Sequence, residues 1–295
     1  MNKLKIFLLS FVLSSSAWAN PPIMFTQPSG RGTGNDMWVE MTRAGLESAG
    51  LPHRYEVGTC ATSIQAWDNA GTREPALMLY SSNWTRTALQ TGQPCLVKDL
   101  DRITVYAVVK TPWWVCKNKT KSRAFDAPGV TVGYHEPSTP GQDIFDDINK
   151  TNNWSWKGIS TKGSGANLMM LINGELDYGF MASPFARRKI LDDPSSPLQC
   201  VASWKKNDVI PYFKDIVKMQ GDPSGLLYYT QIIIGKNLTP DQDKKIRSIF
   251  DAKQNPKFQD WVNAQASQSD VPSDSQQFMN NFIQDVKKVM STYQK

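Results

Sequence analysis

Residues Trp156 to Ser183, WKGISTKGSGANLMMLINGELDYGFMAS, read as a strand, a glycine-rich turn, a helix and a second strand. Gly163, Ser164 and Gly165 open the turn. Ala166 to Leu176 then carries Leu168, Met169, Leu171, Ile172 and Leu176, the spacing of one helix face, with Gly174 near its end. Tyr178 to Ala182 is a short apolar run of strand type. A helix that starts this way offers free backbone N–H groups, whose charge and dipole favour an anion. Lys162 adds a full positive charge beside them. Neither GxxxxGK[ST] nor GxGxxG is present, which argues against a nucleotide. Gly-Ser-Gly turns also join strands to helices with no ligand.

The same alternation extends upstream. Strands are expected at Pro22–Thr26, Tyr55–Val57 and Ala76–Tyr80, with helices over about Met37–Ala49 and Thr59–Ala70. Strands alternating with helices imply βαβ units and a parallel sheet. A polar loop of small residues follows each strand: Gln27–Asp36, Gly58–Ser63 and Ser81–Thr85. In a parallel sheet such loops share the carboxyl edge, where ligands bind. Ile103–Val109 is a further strand that Pro112 should break, with Trp113–Cys116 continuing extended. A second set of units uses Val130–Tyr134, Gly158–Ser160, Tyr178–Ala182 and Gln199–Ser203. The chain is therefore expected to form two αβ lobes. It would cross near Val108–Pro112 and return near Gly225–Ile234, giving a first lobe over 20–109, a second over 110–223 and a return over 224–295. The tail is helical, with Thr239 capping a helix that has Pro240 at its first position. A second helix runs from Pro256 to Ala266, and a last one follows Ser273 as cap.

The N-terminus has Lys3 and Lys5, an apolar run from Ile6 to Leu13 and a small-residue end, Ala17-Trp18-Ala19. This pattern is a secretory signal peptide over residues 1–19, cut after Ala19, and places the protein in the periplasm. The run is too short to span a bilayer. Its loss removes two of the 33 basic residues and none of the 27 acidic ones, leaving a net charge of +4. So mild an excess does not describe a nucleic-acid binder. All four cysteines, Cys60, Cys95, Cys116 and Cys200, lie in the exported part, which suggests two disulfides. Of the three pairings, Cys60–Cys95 with Cys116–Cys200 keeps each bond within one expected lobe. There is no CxxC pair and histidine is scarce, so no metal is expected.

Taken in order, these segments resemble the solute-binding receptors of tripartite tricarboxylate transporters, the TctC or Bug family, over nearly the whole exported chain. The segments that carry the resemblance are FTQPSGRGTGNDMW (Phe25–Trp38), YSSNW (Tyr80–Trp84), GYHEPSTPGQDIF (Gly133–Phe145), STKGSGANLMMLINGELDYGFM (Ser160–Met181) and the Asn255–Phe258 helix start. The chain departs from the family in Arg31, in Tyr134-His135-Glu136, and in its cysteines and tryptophans. The resemblance implies a type II periplasmic-binding-protein fold: an α/β chain of two lobes, each a mostly parallel sheet flanked by helices, closing on a ligand in the cleft between them. It implies carboxylate ligands held by backbone N–H groups, hydroxyls and water, with no cofactor, and permease subunits of a tripartite tricarboxylate transporter as membrane partners. A monomer is expected. The candidate ligand contacts are Ser29, Gly32, Thr33, Gly34, Asn35, Asp36, Thr59, Ser81, Ser82 and Asn83 from the first lobe. From the second they are His135, Ser138, Thr139, Lys162, Gly163, Ser164 and Ser183.

Two other classes are expected less. Ser164 is not in a GxSxG elbow and has no evident histidine partner in the sequence, which argues against a hydrolase. Asp36 and Asp177 could form a carboxylate pair but fit better as residues that cap helices or orient loops. A sugar-binding or sensory protein would use exposed tryptophans such as Trp84, Trp113 or Trp154 as stacking platforms.

Overall fold

The computed structural model describes residues 21–27, 35–135, 140–207, 209–219, 228–251, 253–264 and 268–293. The expected signal-peptide segment and six of the candidate contacts (Ser29, Gly32, Thr33, Gly34, Ser138 and Thr139) lie outside the described residues. Strands and helices alternate through the first part: β1 (Ile23–Gln27), α1 (Asn35–Ser48), β2 (His53–Val57), α2 (Cys60–Asn69), β3 (Ala76–Ser81) and α3 (Ser82–Thr91). The 15-residue β4 (Thr104–Asn118) follows. Then come β5 (Thr131–His135), α4 (Pro140–Asn152), β6 (Lys157–Thr161), α5 (Ser164–Asn173), β7 (Tyr178–Ala182), the short α6 (Ser183–Ala186) and β8 (Leu198–Ser203). The chain ends with β9 (Tyr228–Lys236), α7 (Pro240–Phe250), α8 (Pro256–Ala264), β10 (Gln268–Asp270) and α9 (Ser275–Tyr293).

The strands form one curled sheet in the order β2-β1-β3-β9-β4-β7-β5-β6, with β8 and β10 also on β4. β1 runs parallel to β2 and β3, and β5 runs parallel to β6 and β7. β9 is antiparallel to both β3 and β4. β4 serves both halves: residues 104–112 pair with β9, and residues 113–118 pair with β7 and β8. Each half has a core on both faces of its sheet. Phe25, Trp38 and Ile246 fill one face of the first half, and Met24, Trp67 and Ile232 fill the other. Val132, Phe180 and Trp204 fill one face of the second half, and Trp114, Leu171 and Ile190 fill the other. This is the α/β, two-lobed architecture expected from the sequence, with helices covering both faces of each sheet.

Four local expectations are corrected. Pro112 does not break its strand, because it sits where β4 exchanges one set of partners for another and the missing N–H interrupts no continuous ladder. Ser82–Thr85 is the first turn of α3, not a loop; Trp84 and Thr85 are buried by it, and Gly92 ends it in the left-handed conformation. α5 begins at Ser164, two residues before the expected start, with Gly163 as its N-cap at φ +119°. The cap of α9 is Asp274, whose carboxylate accepts from the Gln277 N–H at 2.9 Å, in place of Ser273. Thr239 does form the expected cap, in a reciprocal pair with Gln242. The two disulfides are Cys60–Cys95 and Cys116–Cys200, the favoured pairing.

A candidate ligand cleft between two polar strand ends

One face of the first-half sheet packs against α1 and is apolar until its carboxyl end. There the side chains change together. Along β1, Phe25 is followed two residues on by Gln27; along β3, Leu79 by Ser81; along β4, Val109 by Thr111. β9 runs the opposite way, and Ile233 gives way to Gln231. Residues two apart share a face. Gln231 stands opposite both Ser81 and Val109 in the ladder. The result is a buried polar row, with Gln27 0%, Ser81 2%, Thr111 1% and Gln231 2% exposed. A leucine or valine at each position would extend the core, whereas a buried polar group left unsatisfied costs about 1–3 kcal/mol. Stability alone gives no reason for the row.

The row is organised by side-chain hydrogen bonds. Gln231 Nε2 donates to Asn35 Oδ1 in the first turn of α1, and Thr111 Oγ1 donates to Gln231 Oε1 at 3.5 Å. The Tyr55 hydroxyl donates to Gln27 Oε1. At the mouth of α3, Ser82 Oγ accepts from the Thr230 N–H at 3.3 Å. Ser81 Oγ and Asn83 Oδ1 are buried with no hydrogen-bond partner among the described residues. Buried polar atoms are as a rule satisfied, by protein, water or ligand.

The second half presents its own polar end. Ser164, fully buried at the start of α5, has its Oγ 3.1 Å from His135 Nε2 and accepts from the Ala182 N–H at 3.2 Å. The His135 ring lies edge-on to Trp113, with centroids 4.6 Å apart. Burial pushes the His135 imidazole down to about 3, so the ring is neutral at ordinary pH. α5 is held at this depth by Asn167, whose Nδ2 donates to the carbonyls of Gly133 (3.3 Å) and Phe180 (2.8 Å). Gly133 permits that approach, since a Cβ there would lie 2.3 Å from Asn167 Oδ1. Lys162 is exposed beside the turn, and Ser183 is fully buried just after β7.

The two polar ends meet at β4. Thr111 belongs to the first cluster and Trp113 touches the second, so the two lie roughly 7 Å apart along the strand. The described candidates Asn35, Ser81, Ser82, Asn83, His135, Gly163, Ser164 and Ser183 fall at these ends. Asp36 is in the first turn of α1. Thr59 is an exposed cap, bonded reciprocally to Thr62. Asp177 stands just before β7, at the sheet edge away from these polar ends. It pairs with Arg123 and accepts from the Arg123 and Thr131 N–H groups, so it orients the chain before β5.

One expectation changes, and one less-expected reading loses its stacking platforms. Ser164 does have a histidine neighbour, which the sequence separates by 29 residues. Trp84 (6% exposed, edge-on to Tyr80) and Trp113 (5%) are core residues, and Trp154 stacks on Trp156, so these rings are engaged by the protein. Gln27, Thr111, Gln231 and Asn167 were not apparent from sequence.

Two αβ lobes joined by a shared strand, with polar strand ends on either side of it, have the periplasmic-binding-protein fold. Among solved structures the chain is similar to the adipate-bound Rpa4515 of R. palustris, with a TM-score of 0.72, 13% identity, and 94% of this chain and 98% of that chain covered. It is similar to the periplasmic binding protein BugD, with a TM-score of 0.69, 11% identity, and 93% and 97% covered. It is also similar to MatC (Rpa3494) from Rhodopseudomonas palustris with bound malate, with a TM-score of 0.61, 13% identity, and 92% and 97% covered. No protein-family model matches the sequence, and no curated protein matches it.

Proposed function

We propose that this chain is an exported solute-binding receptor of the TctC or Bug kind, which captures a small organic acid between its lobes and delivers it to a tripartite tricarboxylate-type membrane permease. The observation that carries the reading is the buried row Gln27–Ser81–Gln231–Thr111, opposed across β4 by His135 and Ser164. These groups are neutral, and with the exposed Lys162 they suit an anion that keeps several hydrogen bonds when it leaves water. Neighbours of the same fold hold adipate and malate, which points to acids of that size. The lobes would divide as 20–109 with 224–295 against 110–223, so that closure bends β4. The periplasm and a monomeric state fit the signal peptide and this mode of action. No helix among the described residues is long and apolar enough to cross a membrane.

A hydrolase is the second reading, favoured by the Ser164–His135 contact. A base near pKa 3 holds too little proton affinity to activate serine at neutral pH. Fluorophosphonate labelling of Ser164 would support the hydrolase. The receptor is tested by a thermal-shift screen of residues 20–295 against organic acids, amino acids and sugars. A concentration-dependent rise with a carboxylate is expected, since binding only the folded state stabilises it. Stabilisation by sugars alone would contradict the reading.

A further inference from the structure

Residues 204–219, WKKNDVIPYFKDIVKM, follow β8 and form a ledge on the second lobe. The inward side of the ledge is core. Trp204, Ile210, Phe213 and Val217 are each 4% exposed or less, and the Trp204 and Phe213 rings pack 4.3 Å apart. Hydrogen bonds fix its shape. Asn207 Oδ1 accepts from the N–H groups of Val209 (2.8 Å) and Ile210 (2.9 Å), and the Pro211 carbonyl accepts from the Ser203 N–H (2.8 Å). The outward side is different. Val209 and Ile216 are 49% and 42% exposed, two of the six large apolar side chains that stand out among the described residues. Both are chain neighbours of the residues lining an open hollow of about 560 Å³: Lys206, Asn207, Pro211, Tyr212 and Asp215. The Lys206 ammonium lies 5.7 Å from the centre of the Tyr212 ring. Lys205, Lys206, Lys214 and Lys218 stand against Asp208 and Asp215, a net +2 in sixteen residues, whereas all of residues 20–295 carry +4.

We propose that this ledge is a membrane-docking surface, which seats the second lobe on an anionic phospholipid bilayer through Val209, Ile216 and the lysines around them. Apolar side chains exposed singly need no account, but here two stand on one rigid segment that also concentrates positive charge. Aliphatic tips of this kind enter the acyl boundary, lysine stems lie along it while their ammonium groups meet phosphate, and a tyrosine ring suits the headgroup level. The basic rim selects an anionic surface. A protein partner finds less here, because the hollow is wide and polar and offers no deep pocket for an anchor side chain. The ledge begins where Ser203 stands opposite Trp114, at the end of β8 nearest the polar strand ends, so docking turns that end of the second lobe towards the bilayer. The inference goes beyond the receptor reading and does not depend on it.

The test is co-sedimentation of residues 20–295, which leaves out the apolar run Ile6–Leu13, with vesicles of phosphatidylglycerol and phosphatidylcholine in equal parts and with vesicles of phosphatidylcholine alone. Binding is expected to the anionic vesicles, and it should fall away as salt rises from ~0.05 M to ~0.5 M, where exposed charges are screened within a few ångströms. Lys206→Glu with Lys218→Glu should weaken binding at least ~10-fold, since each cation near such a surface contributes to the attraction. Val209→Ser with Ile216→Ser leaves the charge unchanged and should weaken binding several-fold through the lost apolar contact. All four side chains are exposed, so the urea midpoints of both variants should match wild type. Lys253→Glu with Lys257→Glu makes the same charge change at exposed positions of the first lobe, and should alter binding by less than about two-fold. Failure to bind the anionic vesicles at low salt overturns the proposal and leaves the ledge to a protein partner. Equal losses in the two lysine variants, undiminished binding in the serine variant, or equal binding to the neutral vesicles overturns it as well.

Discussion

Replacing Asp177 with asparagine should destabilise the protein at neutral pH and should matter much less in acid. The carboxylate is nearly enclosed, at 8% side-chain exposure. It accepts from Arg123 Nη2 (2.6 Å) and Nε (3.1 Å), from the Arg123 N–H (3.0 Å), and from the Thr131 N–H (2.8 Å) and hydroxyl (3.0 Å). Burial alone would raise its pKa, but these donors outweigh it and hold the group down at about 2, from an ordinary 3.8. A shift of that size corresponds to about 2.4 kcal/mol. Arg123 is 45% exposed, and screening by water brings the working figure to about 1–2 kcal/mol. Because the folded pKa is the lower one, the stabilisation is complete above about pH 4 and is lost as pH falls through about 2. Asparagine keeps one acceptor and sets an amide donor against Arg123, so a loss of about 2 kcal/mol is expected at pH 7. Urea titrations of wild type and Asp177→Asn at pH 7 and pH 2.5 measure both terms. The reasoning is refuted if the variant is as stable as wild type at pH 7, or if the gap is unchanged at pH 2.5.

Three further outcomes are expected. His135 has a folded pKa of about 3 against an ordinary 6.5, so the unfolded chain takes up its proton first and wild-type stability should fall as pH drops from 6.5 towards 3. The full shift corresponds to about 4–5 kcal/mol, and the ring's partial exposure reduces that to about half. His135→Gln should flatten this acid limb in denaturation curves taken across that range. Lys162→Ala should weaken an anionic ligand by roughly 0.5–1 kcal/mol in calorimetry, as for an exposed charge, with the unfolding midpoint unchanged. Replacing Cys116 and Cys200 together by serine opens a link across 84 residues of chain and should cost about 2–5 kcal/mol in urea denaturation, most of it through the unfolded state.

The alternation of strands and helices was legible because apolar runs such as ALMLY and the Leu168–Leu176 face carry their period openly. α3 was not. Its first turn, Ser82-Asn83-Trp84-Thr85, is polar enough to read as a loop, and burial of Trp84 and Thr85 in the tertiary fold decides the outcome. Pro112 misled because the breaker rule assumes a continuous ladder, whereas β4 changes partners there. The polar loops at the carboxyl edge were expected to build the site, whereas the most organised described part of that edge lies inside strands. Gln27, Thr111 and Gln231 each look like one polar residue at the end of an apolar run. Only the register of four strands sets them side by side, and register is a long-range property. Likewise, nothing local joins His135 to Ser164; the parallel pairing of β5 with β6 and β7 does.

The most direct measurement is an amide-resonance titration of ¹⁵N-labelled residues 20–295 with the acid that stabilises them most. The account predicts shifts on both sides of β4, at Asn35, Ser82 and the Gln231 side chain and at Ser164 and Ser183, with Arg123 and Thr131 at the far edge unmoved. Shifts confined to one lobe, or centred on the open surface hollow lined by Lys206, Tyr212 and Asp215, would contradict it.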